Sequence, residues 1–351
     1  MDQPSSVFRV QLNSLLRNFT TLRGDIEAWH LLIDNLTSVS FYSPHSPTTV
    51  VIDWKDSKEF IIEKNSRYFD SSKINTREKY DAMIEEFNEY IRQSQVGLVK
   101  ESLEIELLIY SSSTDEFRNM GYVVNILYQI FLVMNLAIPG SCDFYSIDMY
   151  PASSGIVDSD SKERLWLSGS IFESATEFQK EFGWHILQDI PILKVLQWIQ
   201  RIGVSESHFA NSTTERAIYG MLYVCNQPNF SPSEVVWLAQ ALEALFDTPQ
   251  AGISQILRDR IFLVLGEPKE NLKKIKKAIN AFYDYRSRYV HGEVSIPNPM
   301  SMRLSDSSLD KFQEELMGHI DLAMLLITAT LQRLILLDGN TFEFSEAVSA
   351  K

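Results

Sequence analysis

Along the first half of the chain, apolar and polar positions follow several short rhythms. Residues 7–35 mix the two with no clean period and predict no particular element. Thr48–Trp54 is short and rich in β-branched residues, which predicts a strand. Glu59–Glu63 reads as its partner strand across a turn at Lys55–Lys58. Tyr80, Met83, Ile84, Phe87 and Ile91 recur at helical spacing, so an amphipathic helix is predicted over Thr76–Arg92. Leu103–Tyr110 returns to strand character. Ser113 or Thr114 then stands ready to cap an apolar helix over Met120–Ile138, which Pro139 and Gly140 end. Two further strand-like runs, Asp143–Tyr150 and Glu163–Leu167, flank a polar loop carrying Asp158 and Asp160.

From about Ile171 the strand patterns stop and helix signals follow one another. Leu193, Leu196, Trp198 and Ile199 suggest one helix and Thr213–Cys225 a second. Ser231, Pro232 and Glu234 predict a capped start with a capping box, ahead of an apolar face of Val235, Leu238, Leu242, Leu245 and Phe246. Ile253–Leu265 is a fourth helix, ended by Gly266. Lys269–His291 and Leu309–Leu337 complete the series. The predicted fold class is an α+β N-terminal domain, residues 1–175, followed by an all-α helical bundle, residues 176–340, and a C-terminal tail, residues 341–351.

Composition narrows the function classes. With 45% hydrophobic and 22% charged residues the chain is ordinary globular material, not a disordered one. Its two cysteines, Cys142 and Cys225, form no metal-type spacing and no disulfide framework, which points to a reducing, cytoplasmic setting. The first residues carry no signal-peptide pattern. Met120–Ile138 approaches the length of a membrane span, but Asn125, Gln129 and Asn135 interrupt it, so a buried helix is expected and no membrane partner. The formal net charge of −14 disfavours indiscriminate binding of polyanions, so any RNA site has to be a small local positive cleft. Asp158 and Asp160 lack further oxygen ligands, and His30, His45, His185 and His208 are scattered, so neither metal nor cofactor is expected.

The candidate chemistry sits at the end of the Lys269–His291 helix, in the run Tyr283-Asp284-Tyr285-Arg286-Ser287-Arg288-Tyr289-Val290-His291-Gly292. Arg286 falls on the same stripe as Ile275, Ile279 and Phe282, where a guanidinium is costly unless it is paired. Ser287 and His291 lie four residues apart and share one side. Lys273, Lys276, Lys277 and Arg288 fall on the polar side, and Gly292 is placed to end the helix in a left-handed conformation.

This run resembles the Arg-x4-His signature of the HEPN superfamily, most closely its Apea-like branch. Tyr283, Ser287 and Gly292 match the flanking positions, and Trp237–Phe246 is similar to the preceding helix of that family. The resemblance covers roughly residues 210–337 and leaves the N-terminal half to a sensor or regulatory role. It implies a metal-independent endoribonuclease, homodimeric through the helical domain, acting on RNA. Such an enzyme leaves a 2′,3′-cyclic phosphate after attack by the 2′-OH, and serves as a toxin or antiviral defence effector held by a regulatory protein or antitoxin. Within it Arg286 would bind phosphate through its planar fork. His291 would act as base or acid, since an imidazole changes charge near physiological pH. Ser287 would donate a hydrogen bond to the phosphate or position His291. Glu243 would hold Arg286, with Tyr283 and Arg288 supporting. The alternative is a non-catalytic HEPN-like module that dimerises and binds RNA or protein, which the acidic charge favours. His319, inside the last helix, is read as a packing or surface histidine.

Overall fold

The computed structural model describes residues 3–12, 23–41, 47–66, 103–113, 115–152, 162–204, 209–227, 231–248, 253–298 and 307–345. The chain forms two compact units. One holds residues 1–169 with 191–193, the other residues 170–190 with 194–351. The expected boundary at 175 therefore falls inside a helix of the second unit.

The first unit is built on β1 (Ser6–Leu12), α1 (Arg23–Asn35), β2 (Ser38–Phe41), β3 (Thr48–Asp53), α2 (Ser57–Ser66), β4 (Leu103–Tyr110), α3 (Glu116–Ala137), β5 (Tyr145–Pro151) and β6 (Glu163–Leu167). The strands form one antiparallel sheet in the order β2-β3-β4-β1-β5-β6. Register sets Phe8 opposite Leu107, Val10 between Ile105 and Met149, and Leu12 between Leu103 and Ile147, all buried. One face is thus continuously apolar, and α2 and α3 pack against β4 and β1. The alternate positions are polar: Arg9 Nε lies 3.2 Å from Glu106 Oε1, which also accepts Lys55 Nζ at 2.8 Å. That alternation is how an antiparallel sheet keeps one face for the core.

Residues 7–35, which the sequence pattern leaves open, supply the central strand β1 and helix α1. Two expectations need correction here. Glu59–Glu63 is helical within α2 and does not pair with β3, whose neighbours are β2 and β4. A short apolar run such as Phe60-Ile61-Ile62 fits either period. The turn decides: Lys55 takes φ +41°, and Trp54 O and Asp56 O accept from Ser57 N and Phe60 N, starting a helix. Finally, α3 is capped by Asp115, whose side chain accepts from Phe117 N and Arg118 N, and not by Ser113. Thr114, the expected helix over 76–92 and the Asp158–Asp160 loop lie outside the described residues.

Helix α3 and the last helix of the second unit are both long and apolar enough to cross a membrane by length and composition. Within its unit α3 is buried without a break from Gln129 to Ala137. The two amides inside that stretch are bonded: Gln129 Nε2 donates to Asn125 Oδ1 at 2.9 Å, and Asn135 Nδ2 to Cys142 O at 2.8 Å. Gly169 closes the same corner, because a Cβ there would come within 2.0 Å of Cys142 O.

The second unit carries α4 (Ser170–Phe182), α5 (Ile192–Ile202, from Lys194 onward), α6 (Thr213–Cys225), α7 (Ser233–Leu245), α8 (Ile253–Leu265), α9 (Leu272–Val290) and α10 (Ser307–Leu337). The expected capping box at α7 is half formed. Glu234 Oε1 accepts from Ser231 N at 2.9 Å, while Ser231 Oγ accepts from Ser233 N. A second one at α6 went unread: Ser212 Oγ accepts from Glu215 N, and Glu215 Oε2 accepts from Asn211 N. Residues 341–345 are packed and are not a free tail, with Phe344 against Phe246 and under the Arg260 guanidinium at 4.5 Å.

Helix α10 is buried on every side from Leu322 to Gln332. Asp321 stands at the start of that stretch with Oδ1 unpartnered, and burial pushes its carboxyl up to about 7. A carboxyl whose folded pKa exceeds its unfolded value, about 3.9, takes up a proton on folding between those limits. The contribution of Asp321 to stability therefore rises as pH falls from 8 towards 5. Asp321→Asn is expected to raise stability by about 1–2 kcal/mol at pH 8 and by little at pH 5. Urea unfolding at the two pH values checks this; an equal effect at both refutes it.

Candidate active site

Helix α9 carries the motif and is fixed at both ends. Before it, Asn271 adopts φ +58° and its side chain donates to Phe182 O at 3.2 Å. At its far end Gly292 takes φ +76°, as expected from the sequence. Gly292 N then donates to Tyr289 O and Glu293 N to Arg288 O, the paired bonds of a Schellman ending. Burial of Ile275, Ile279, Phe282, Tyr283 and Tyr285 sets the rotation of the helix.

That rotation decides where the motif side chains go. Arg286 turns towards α7, and its Nη2 lies 3.7 Å from Glu243 Oε1. Glu243 is held in turn by the end of α7. Asp247 takes φ +44°, Thr248 N donates to Glu243 O, and Arg260 donates to the carbonyls of Phe246 and Asp247. The Arg286–Glu243 contact is an ion pair outside hydrogen-bond reach. Glu243 Oε1, Arg286 Nε and the Tyr283 hydroxyl are each buried without a hydrogen-bond partner. Burial pushes the Glu243 carboxyl up, and the Arg286 charge offsets only part of that. Burial, and then the Glu243 charge, raises the Tyr283 phenol well above its usual range. These three polar groups therefore form one tight, under-satisfied cluster.

Ser287 and His291 are elsewhere. Both are exposed, and among the described residues neither side chain makes a hydrogen bond. Five residues of α-helix turn His291 roughly 140° around the axis from Arg286. The structure thus joins Arg286 to Glu243 and Tyr283 and leaves Ser287 and His291 at the solvent-facing end of α9. Arg288 lies 3.9 Å from Asp284 on the same helix. Lys274 is paired with Glu181 at 2.8 Å, and Lys276 lies 3.7 Å from Glu267, so part of the positive face is neutralised.

A histidine of the last helix also borders the motif. His319 of α10 packs on Tyr285, ring centroids 4.8 Å apart, with Nε2 3.9 Å from Glu315 Oε1. Burial lowers its pKa, and the Tyr285 hydroxyl beside it is unpartnered. Only its place on the apolar stripe of α10 hinted at this contact. Among the described residues no group of three His, Cys, Asp or Glu side chains is placed to share a metal ion.

No protein-family model matches the chain, and comparisons with curated proteins and with solved structures give no match. The chemistry of the motif has to be argued from its own geometry.

Removing Glu243 would leave the half-buried Arg286 without a counter-charge. Glu243→Ala is expected to cost about 1–2 kcal/mol, below the fully buried case because the pair is partly exposed. Adding Arg286→Ala should recover part of that loss. A double-mutant cycle in urea measures the coupling, and a value near zero would show that the two side chains do not interact in solution.

Proposed function

We propose that this protein is a HEPN-type endoribonuclease that cleaves RNA without a metal and leaves 2′,3′-cyclic phosphate ends. The observation that carries the reading is the division of the motif. A part-exposed guanidinium is held by ion pairing, and an unpartnered imidazole and a hydroxyl stand exposed at a helix end closed by Gly292. These are the groups that transesterification of RNA requires.

In the proposed reaction His291 takes the proton from a ribose 2′-OH, and the 2′-oxygen attacks the adjacent phosphorus. The bond from phosphorus to the 5′-oxygen breaks, and that oxygen takes a proton from a second imidazole. Arg286 balances the added charge on the phosphate through the part of its guanidinium that is exposed. Ser287 donates to a phosphate oxygen. One chain carries one such histidine, so the acid comes from the motif of a second copy in a homodimer. The first unit, outside the motif, is assigned the regulatory role, consistent with a toxin or defence effector held by a regulatory protein or antitoxin in the cytoplasm.

A non-catalytic RNA- or protein-binding module is the second reading. Two observations favour it: Glu243 already neutralises Arg286, and the chain has a net charge of −14.

The deciding measurement is cleavage of RNA by the purified protein in EDTA. We expect cyclic-phosphate ends, and a loss of about a hundredfold or more in both His291→Ala and Arg286→Ala. Cleavage that survives both substitutions refutes the assignment. Sedimentation should find a dimer at the concentrations that cut, whereas an active monomer would remove the two-copy site.

A further inference from the structure

A cavity of about 320 Å³ lies in the second unit, well away from the motif. It is a half-open pocket, bordered by the loop after α4, the last turn of α8 and the C-terminal half of α10. Its lining combines Arg333 and His185 with Leu263, Val264, Ala329 and Leu336. Along α10, Arg333 stands fourteen residues beyond His319, roughly 20 Å at the helical rise. We propose that this cavity binds a small organic monoanion, an apolar body ending in a carboxylate.

The argument starts from charge. The chain has 46 acidic and 32 basic residues, so cations readily find carboxylate partners. Arg333 has none among the described residues, and no carboxylate lines the cavity. It is not needed to finish α8 either. Trp184 Nε1 already donates to Gly266 O at 3.1 Å. Gln332 is also engaged, accepting from Gln188 N and donating to Gln188 O, which holds the loop against α10. An exposed guanidinium fork without a protein partner among the described residues thus borders the pocket, and it matches a carboxylate in shape and charge.

The lining also sets the ligand class. Burial, and then the Arg333 charge, lowers the His185 pKa, so the cavity offers one full positive charge near neutral pH. A phosphate dianion would want more than one cation in so acidic a protein. The four aliphatic side chains, with Leu263 75% exposed at the rim, suit a short alkyl body. The volume falls within the usual range for small-molecule sites, about 300–1,000 Å³.

Calorimetric titration of the full chain with hexanoate, hexanamide and inorganic phosphate tests the proposal. Hexanoate should bind at least tenfold more tightly than its neutral isostere and than phosphate. The preference should vanish in Arg333→Gln and persist in Arg201→Gln, a surface arginine paired with Asp338. Ring resonances of His185 should shift with hexanoate and not with phosphate. Equal binding of hexanoate and hexanamide, no hexanoate binding, or a preference that survives Arg333→Gln would each overturn it.

Discussion

Burial of the Leu322–Gln332 stretch of α10 on all sides is the constraint from which the second unit follows. A helical stretch buried around its whole circumference has to be surrounded, and α4, α7, α8 and α9 all pack against α10. Once it is central, the other helices can differ in their outward faces. Helix α9 gives one stripe to the core and leaves its charged face and its last turn to solvent. The first unit repeats the arrangement with α3 against an apolar sheet face. In each case the most hydrophobic segment lies inside its own unit.

Much of this was legible in the sequence, for a physical reason. Long segments with a sustained period, such as Thr213–Cys225 and Ile253–Leu265, match α6 and α8 residue for residue. The strands β3, β4, β5 and β6 were also legible, because β-branched residues and alternation bounded by polar turns leave little choice. Failures came where the local pattern was short or mixed. Strand β1 alternates over seven residues, with Arg9 and Gln11 on the outer face, and its identity comes from pairing with β4 and β5 on both sides. Phe60 and Ile61 joined a helix because a positive φ at Lys55 redirected the chain.

At the motif, the sequence indicated which residues share a helix end but not which way each one points. Periodicity put Arg286 on the apolar stripe, and its contact with Glu243 across two helices agrees with the need for a partner. What periodicity could not supply was the quality of that contact. An ion pair at 3.7 Å with three unpartnered polar atoms around it is a poor structural solution and leaves hydrogen-bonding capacity unused. Such a cluster costs stability, which is the expected behaviour of a place where function competes with folding.

Gly292 has one further consequence. Because it turns left-handed directly after His291, the chain leaves the helix axis at once, and the imidazole is exposed among the described residues. Among the described residues the ring stands at the end of its helix with no hydrogen-bond partner. A group presented in this way discriminates little by enclosure; whatever meets it has to bring its own surface.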